Sequence, residues 1–154
     1  MQNRCFWAHS ANDGGKGVPE RLRDHLERVA LRAKEFASSF EAGEQAQLAG
    51  ILHDLGKYGD RFQQYLEGKV HRAGDHWSAG SLLALKLANK YGECPALAVL
   101  AHHSGLNELP GSYKQFWNDL CNCIRRSDEV TESHLDKLWQ RLCAEGVPVP
   151  TVSS

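Results

Sequence analysis

The stretch Leu48-Ala49-Gly50-Ile51-Leu52-His53-Asp54-Leu55-Gly56-Lys57 carries the reading of the whole chain. Leu48, Ile51, Leu52 and Leu55 fall on one face at helical spacing, which predicts a helix from about Glu44 to Leu55. Gly56 is well placed to end it. At that end an adjacent His and Asp can aim an imidazole nitrogen and a carboxylate oxygen at one cation. Both are good ligands for a transition metal such as Mn, Fe, Co or Ni. His53 lies one step off the apolar face, in an Ala/Gly/Leu-rich segment where a charged pair has no structural excuse. The dipeptide alone arises by chance in many chains, so its weight comes from what surrounds it.

Upstream, Pro19 can open a helix, since its missing N–H costs nothing in a first turn. Leu22, Leu26, Val29, Ala33, Phe36 and Phe40 then recur at steps of three and four, the buried stripe of an amphipathic helix that Gly43 closes. Downstream, Asp60–Leu66 reads as a short helix with Phe62, Tyr65 and Leu66 on its apolar side. Glu67–Asp75 is polar and carries two glycines, hence a loop. A long helix is expected over about His76–Tyr91, stopped by Gly92. Pro95 opens the next, Ala96–His103, apolar nearly all round and therefore central. Ser104–Gly111 reads as a loop, and Tyr113, Phe116, Trp117, Leu120 and Ile124 mark another helix. Thr131 is a candidate N-cap for the last helix, whose stripe is Leu135, Leu138, Trp139 and Leu142. Gly146, Pro148 and Pro150 end it before a frayed tail. The chain shows no strand-like alternation, repeat or low-complexity run. The expected fold is all-α, a bundle of about seven helices.

The length of 154 residues is one domain's worth, here residues 1–150 with a flexible tail at 151–154. The hydrophobic share of 42% is enough to build its core. Lys+Arg 18 against Asp+Glu 19 excludes a globally basic protein that coats nucleic acid by charge alone, though not a local basic groove. The five cysteines are odd in number and contain no Cys-x-x-Cys pair. That argues against a zinc knuckle or disulfide framework and for reduced thiols in a cytoplasmic protein. The N-terminus lacks the apolar region of a secretory signal. The longest apolar runs, Leu82–Ala88 and Ala96–Ala101, fall far short of the roughly 20 residues that span a bilayer, so no membrane partner is expected.

The unusual count is eight histidines. His25 lies on the inner stripe of the first helix, His76 starts the fourth, and His102 and His103 end the apolar fifth. Burying several imidazoles costs free energy unless they are hydrogen-bonded or coordinate something. Helix ends in a bundle can converge on one cavity, where metal sites are built. Taken singly, each has a plain reading: His25 as a satisfied core residue, His76 and His102-His103 as helix-end residues. Together with His53-Asp54, in this order, they argue for one site. His9, His71 and His134 read as bystanders.

In this order His25, His53-Asp54, His76 and His102-His103 resemble the ligand set of the HD-superfamily metal-dependent phosphohydrolases. Trp7-Ala8-His9-Ser10, Leu52-His53-Asp54-Leu55-Gly56-Lys57-Tyr58, Phe62-Gln63-Gln64-Tyr65-Leu66, Asp75-His76-Trp77-Ser78-Ala79-Gly80 and Ala101-His102-His103-Ser104-Gly105-Leu106 are closer still to one subfamily. They resemble the N-terminal HD nuclease domain of the CRISPR-associated helicase-nuclease of type I systems, over residues 7–106.

The resemblance implies a nuclease that cuts single-stranded DNA with one or two divalent transition-metal ions (Mn, Ni, Co or Fe in preference to Mg). It implies a helicase portion or a CRISPR effector complex as partner. His53 and Asp54 would bind metal, with Asp54 as the bridge and the central catalytic group. His25 would complete the first site, and His76, His102 and His103 the second. Two cations about 4 Å apart can activate a water and stabilise the leaving oxygen of a phosphodiester. Lys57 would place a point charge near the scissile phosphate, or, as a helix C-terminal lysine, offset the dipole. Arg61, Lys69 and Arg72, interleaved with Tyr58, Phe62 and Trp77, would suit a single strand by charge and stacking. The plainer alternative makes Phe62 and Trp77 core and the charges solvated.

The family closes its first site with an Asp on a late helix, in an Asp-Ala-Asp setting. Only Asp119, Asp128 and Asp136 follow His103, and none has that setting, so the chain is expected to lack the family's last helical element. Two alternatives stand beside the nuclease: an HD phosphohydrolase of small nucleotides, and a truncated non-catalytic module that docks on a CRISPR complex.

Overall fold

The computed structural model describes residues 4–11, 17–88, 92–103, 105, 118 and 132–152. Its elements, in chain order, are strands β1 (Trp7–His9) and β2 (Glu20–Arg21) and helices α1 (Leu22–Ala37), α2 (Gly43–Leu52), α3 (Asp60–Leu66), α4 (Ser78–Leu87), α5 (Glu93–Ala101) and α6 (Glu132–Ala144). Two 3-10 turns, Ser38–Phe40 and Leu55–Tyr58, follow α1 and α2. The all-α class holds. The expected helix around Tyr113–Ile124, most of the Ser104–Gly111 loop and the Thr131 cap lie outside the described residues. Among the described residues no helix is long and apolar enough to cross a membrane.

Among the described residues the β1–β2 ribbon is the one departure from helical structure. β1 and β2 pair antiparallel, Trp7 opposite Arg21 and His9 opposite Glu20. The Leu22 N–H then donates to Phe6 O at 2.9 Å. Backbone pairing thus takes Glu20 and Arg21, and the helix starts at Leu22 rather than at Pro19. A ribbon this short leaves no alternation to read.

α1 buries Leu22, Leu26 and Ala30 against α2. Its stripe does not continue as expected, since Phe36 and Phe40 are 77% and 79% exposed. The inward stripe runs on through the half-buried Val29, Ala33 and Ala37, which leaves Phe36 off it, and the 3-10 turn breaks the helical period before Phe40. α2 buries Leu48, Ile51 and Leu52, and the turn after it buries Leu55 through Tyr58. α4 and α5 cover the other side with Ala79, Leu83, Ala84, Ala96 and Val99. The Ser81 hydroxyl, buried between them, donates to Ala96 O at 2.8 Å. Pro95 sits in the first turn of α5, where a missing N–H is harmless. α6 lays Leu135, Leu138 and Leu142 over the Leu55–Tyr58 turn. The chain stays on the core beyond α6: Val149 and Val152 pack against it, so Val152 is not part of a frayed tail.

Two close approaches set the position of α2. A Cβ on Gly50 would lie 2.5 Å from Ala30 Cα, and one on Gly80 would lie 1.9 Å from Leu52 O. Only glycine lets α1 and α4 come this near, and that nearness brings their histidines to the end of α2.

Candidate metal centre

Asp54 follows the last turn of α2 and is 3% exposed. Its Oδ2 faces Lys57 Nζ at 2.9 Å, His53 Nε2 at 3.0 Å and His25 Nε2 at 3.2 Å. Its Oδ1 faces His76 Nε2 at 3.6 Å and His102 Nε2 at 3.7 Å, too far for hydrogen bonds, and is buried without a partner. Beyond it His76 Nε2 meets His103 Nε2 at 2.7 Å. Ring nitrogens from α1, the end of α2, the lead into α4 and the end of α5 therefore converge on one carboxylate.

The outer ring nitrogens decide what the inner ones can do. His53 Nδ1 donates to Gly50 O at 2.8 Å, and His102 Nδ1 to Val99 O at 2.5 Å. His25 Nδ1 lies 3.2 Å from Glu20 Oε2. A neutral imidazole that donates from Nδ1 carries its lone pair on Nε2, and each Nε2 points at Asp54. An orphaned buried carboxylate oxygen among inward lone pairs is a donor set that fits a divalent cation. The imidazole-rich set suits a transition metal better than Mg.

Electrostatics favour the binding forms of Asp54, His76 and His103. Burial alone would raise the Asp54 pKa, but His102, His25 and His53 around it hold it well below the usual carboxylate range. Burial pushes His76 down to about 4, with His103 and Lys57 adding to the shift against the pull of Asp54. Burial also lowers His103. The result is an ionised carboxylate beside a neutral His76.

Local sequence fixes His76 from both sides. The Asp75 carboxylate accepts the N–H groups of Trp77 at 3.0 Å and Ser78 at 2.9 Å, an Asx-type turn into α4. The Gly56 N–H donates to His76 O at 3.0 Å, and a Cβ on Gly56 would lie 2.5 Å from His76 Cα. Gln63, buried in α3, bonds Trp7 N at 3.1 Å, Trp7 O at 3.0 Å and Lys57 O at 2.7 Å, tying β1 to the floor of the site.

The profile of the HD domain family matches residues 22–139, more than half of the chain. The chain belongs to the HD domain family. HD domains are metal-dependent phosphohydrolases, and the His/Asp cluster is the expected place for a divalent metal. A comparison with curated proteins gives no match.

The HD cluster gathers every histidine and aspartate expected of it. Two ligand groups, His25/His53/Asp54 and Asp54/His76/His102/His103, each have ligand atoms within 4.8 Å of one another and share Asp54. A third group, His9/Glu20/His25, meets the same distance. His71 and His134 join none of these groups.

His9, read as a bystander, packs edge-on against His25 with ring centroids 5.2 Å apart. Glu20 was missed, because its place depends on the ribbon. The one sign in the sequence was the Trp7-Ala8-His9-Ser10 motif. Of the late aspartates, Asp119 and Asp128 lie outside the described residues, and Asp136 is exposed on α6 and in no ligand group.

The strand-binding set fares differently. Lys57 is buried and committed to Asp54 and Ala8 O, rather than solvated at a helix end. Tyr58 is wholly buried and donates its hydroxyl to Glu145 at 2.7 Å, and Phe62 is buried under the Lys57 ammonium. Neither ring can stack on a base. Trp77 is half-buried against His76 and His103. Arg61, Lys69 and Arg72 are exposed, but Lys69 pairs with Glu67 at 2.6 Å.

Proposed function

We propose that the chain is a metal-dependent phosphodiesterase that cuts single-stranded DNA, the nuclease domain of a type I CRISPR interference system. One or two transition-metal ions (Mn, Ni, Co or Fe) would be held by His25, His53, Asp54, His76, His102 and His103. The observation that carries this reading is the division of Asp54: Oδ2 faces His25 and His53, while Oδ1 faces His76 and His102. A carboxylate so divided is suited to bridge two cations. When bound, the cation supplies Lewis-acid polarisation of a phosphoryl oxygen and an acidified water.

The chain's own residues do the rest. Lys57 offsets the buried Asp54 charge. The anchored Nδ1 atoms of His53 and His102 fix their rings, so no reorientation is needed when phosphate arrives. His102 and His103 are exposed, which leaves the cluster open to a polymer backbone on that side. The DNA substrate and the helicase or effector partner rest on the five motifs in register.

The test is degradation of circular single-stranded DNA with Mn or Ni. Activity should require the metal and vanish in Asp54→Ala. Absence of activity with every divalent metal, or full activity in Asp54→Ala, overturns the reading. The buried Tyr58 and Phe62 and the paired Lys69 favour a second reading, a phosphohydrolase of small nucleotides, because they remove much of a strand-binding surface. A panel of nucleotides and cyclic nucleotides separates the two.

A further inference from the structure

The ribbon places Glu20 directly behind His25. Glu20 stands opposite His9 across the strand pair. Its Oε2 lies 3.2 Å from His25 Nδ1, and its Oε1 lies 2.6 Å from Arg28 Nη2. On its other side the same imidazole turns Nε2 to Asp54 Oδ2 and to His53 Nε2, both at 3.2 Å.

We infer that Glu20 is a positioning residue that holds His25 in the Nδ1–H tautomer and so reserves Nε2 for a cation, an inference that rests on His25 being a ligand of the proposed metal site. The need for such a residue comes from where His25 sits. His53 and His102 follow or end their helices, and each donates Nδ1–H to a carbonyl three residues earlier. His25 lies inside α1, where backbone carbonyls are spent on the helix. Its Nδ1 therefore takes an acceptor from another element, and β2 delivers one.

Arg28 sharpens the argument. Its Nη2 is 3.3 Å from His25 Nδ1. A guanidinium can only donate. Donation to Nδ1 would force the ring proton onto Nε2, the tautomer that cannot bind a cation inward. Glu20 prevents this twice over: it accepts from Nδ1, and it engages the guanidinium at the shorter distance of 2.6 Å. Carboxylates behind metal-binding imidazoles act in this way and also raise ligand basicity.

The trio His9, Glu20 and His25 is by distance a candidate for an ion of its own. The Arg28 guanidinium on Glu20 puts a fixed positive charge against the carboxylate. The trio is therefore the support of the site rather than a further cage.

The tautomer can be measured without metal. Long-range proton–nitrogen spectra of the imidazole rings, recorded where the rings are neutral, should show His25 as Nδ1–H in the wild type. In Glu20→Ala its signal should move to Nε2–H. His53 and His102 should stay Nδ1–H in the same sample, reporting an intact fold. Affinity for Ni at the site containing His25, measured by chelator competition, should fall about 10- to 100-fold in Glu20→Ala. Glu20→Gln keeps an accepting oxygen and the side-chain length. It should keep the tautomer and fall between the other two in affinity.

An unchanged tautomer in Glu20→Ala, a wild-type His25 already in the Nε2–H form, or wild-type affinity in Glu20→Gln overturns the inference. Failure of the parent reading looks different: Ni binding would then be unaffected by His25→Ala itself.

Discussion

Lys57 Nζ lies 2.9 Å from Asp54 Oδ2, and both side chains are buried. The lysine is thus the fixed countercharge of the carboxylate that the two ligand groups share. Removing one partner of a buried pair costs about 3–5 kcal/mol, because the other charge is left uncompensated. Lys57→Met should sit near the lower end, about 3 kcal/mol, since Asp54 keeps polar ring nitrogens of His25 and His53 within 3.2 Å. Denaturant unfolding of the metal-free protein checks this. Adding Mn or Ni should restore more stability to Lys57→Met than to the wild type, because a cation replaces the missing charge. A loss below about 1 kcal/mol would place the charge balance on the imidazoles instead.

The glycines that set the helix approaches should rank by what a Cβ would strike. Gly80→Ala drives a methyl to 1.9 Å from Leu52 O, a backbone atom that cannot turn aside. Its cost should reach or pass about 3 kcal/mol, the upper range for overpacking. Gly56→Ala meets His76 Cα at 2.5 Å. It should cost less stability, but displace His76 and weaken the ion held with His102 and His103. Gly43→Ala meets the movable Ser38 side chain at 3.0 Å and should change stability by under about 1 kcal/mol. Thermal unfolding gives the order, and metal titration of Gly56→Ala gives the displacement.

What was legible in the sequence was what depends on neighbours along the chain. Asp60–Leu66 falls where its apolar spacing put it. The helix before His53-Asp54 ends at Leu52 rather than Leu55, and Gly56 lies inside the 3-10 turn, where it makes room for His76 instead of ending the helix. What was not legible depends on segments far apart. Gln63 is a polar residue whose burial makes sense only once Trp7 is beside it. Glu20 reads as a helix-start residue until the ribbon turns it toward His25. Periodicity told which side of α1 is inward, but steps of three and four admit Phe36 or Ala37 alike, and the half-buried residue is Ala37; Phe40 lies in the 3-10 turn, off the helical period. Tyr58 and Phe62 carry equal signals for core and for stacking, and only their burial decides between them.

Acid should loosen the joint between α3 and α6. Asp60 pairs with Arg4 and Lys137 at 2.6 Å and with Arg141 at 2.9 Å. Partial burial alone would raise its pKa, but Lys137, Arg4 and Arg141 hold it well below the usual carboxylate range. A carboxyl depressed in the folded state binds fewer protons there than in the unfolded chain. Its contribution is therefore present above about pH 4 and is lost as pH falls below that. Asp60→Asn should lower stability modestly at neutral pH, since each exposed pair is worth under about 1 kcal/mol. It should also flatten the decline below about pH 4. Unfolding curves across that range decide it: parallel declines in the two proteins would mean that other carboxylates set the acid limb.

The two ligand groups share Asp54 alone, so their variants should divide into three classes. His53→Ala should weaken one ion and spare the other, because the imidazoles on the far side of the carboxylate keep their geometry. His102→Ala should do the reverse. Asp54→Asn should weaken both, since the amide loses the charge each group depends on and presents N–H groups to lone pairs. Titration with Mn or Ni under chelator competition, followed by metal analysis, distinguishes these outcomes. If the protein holds one ion, the partition locates it: the class whose loss abolishes binding names the occupied half. Equal losses from His53→Ala and His102→Ala would mean a single ion drawing on both sides of Asp54, and the bridging role would fall.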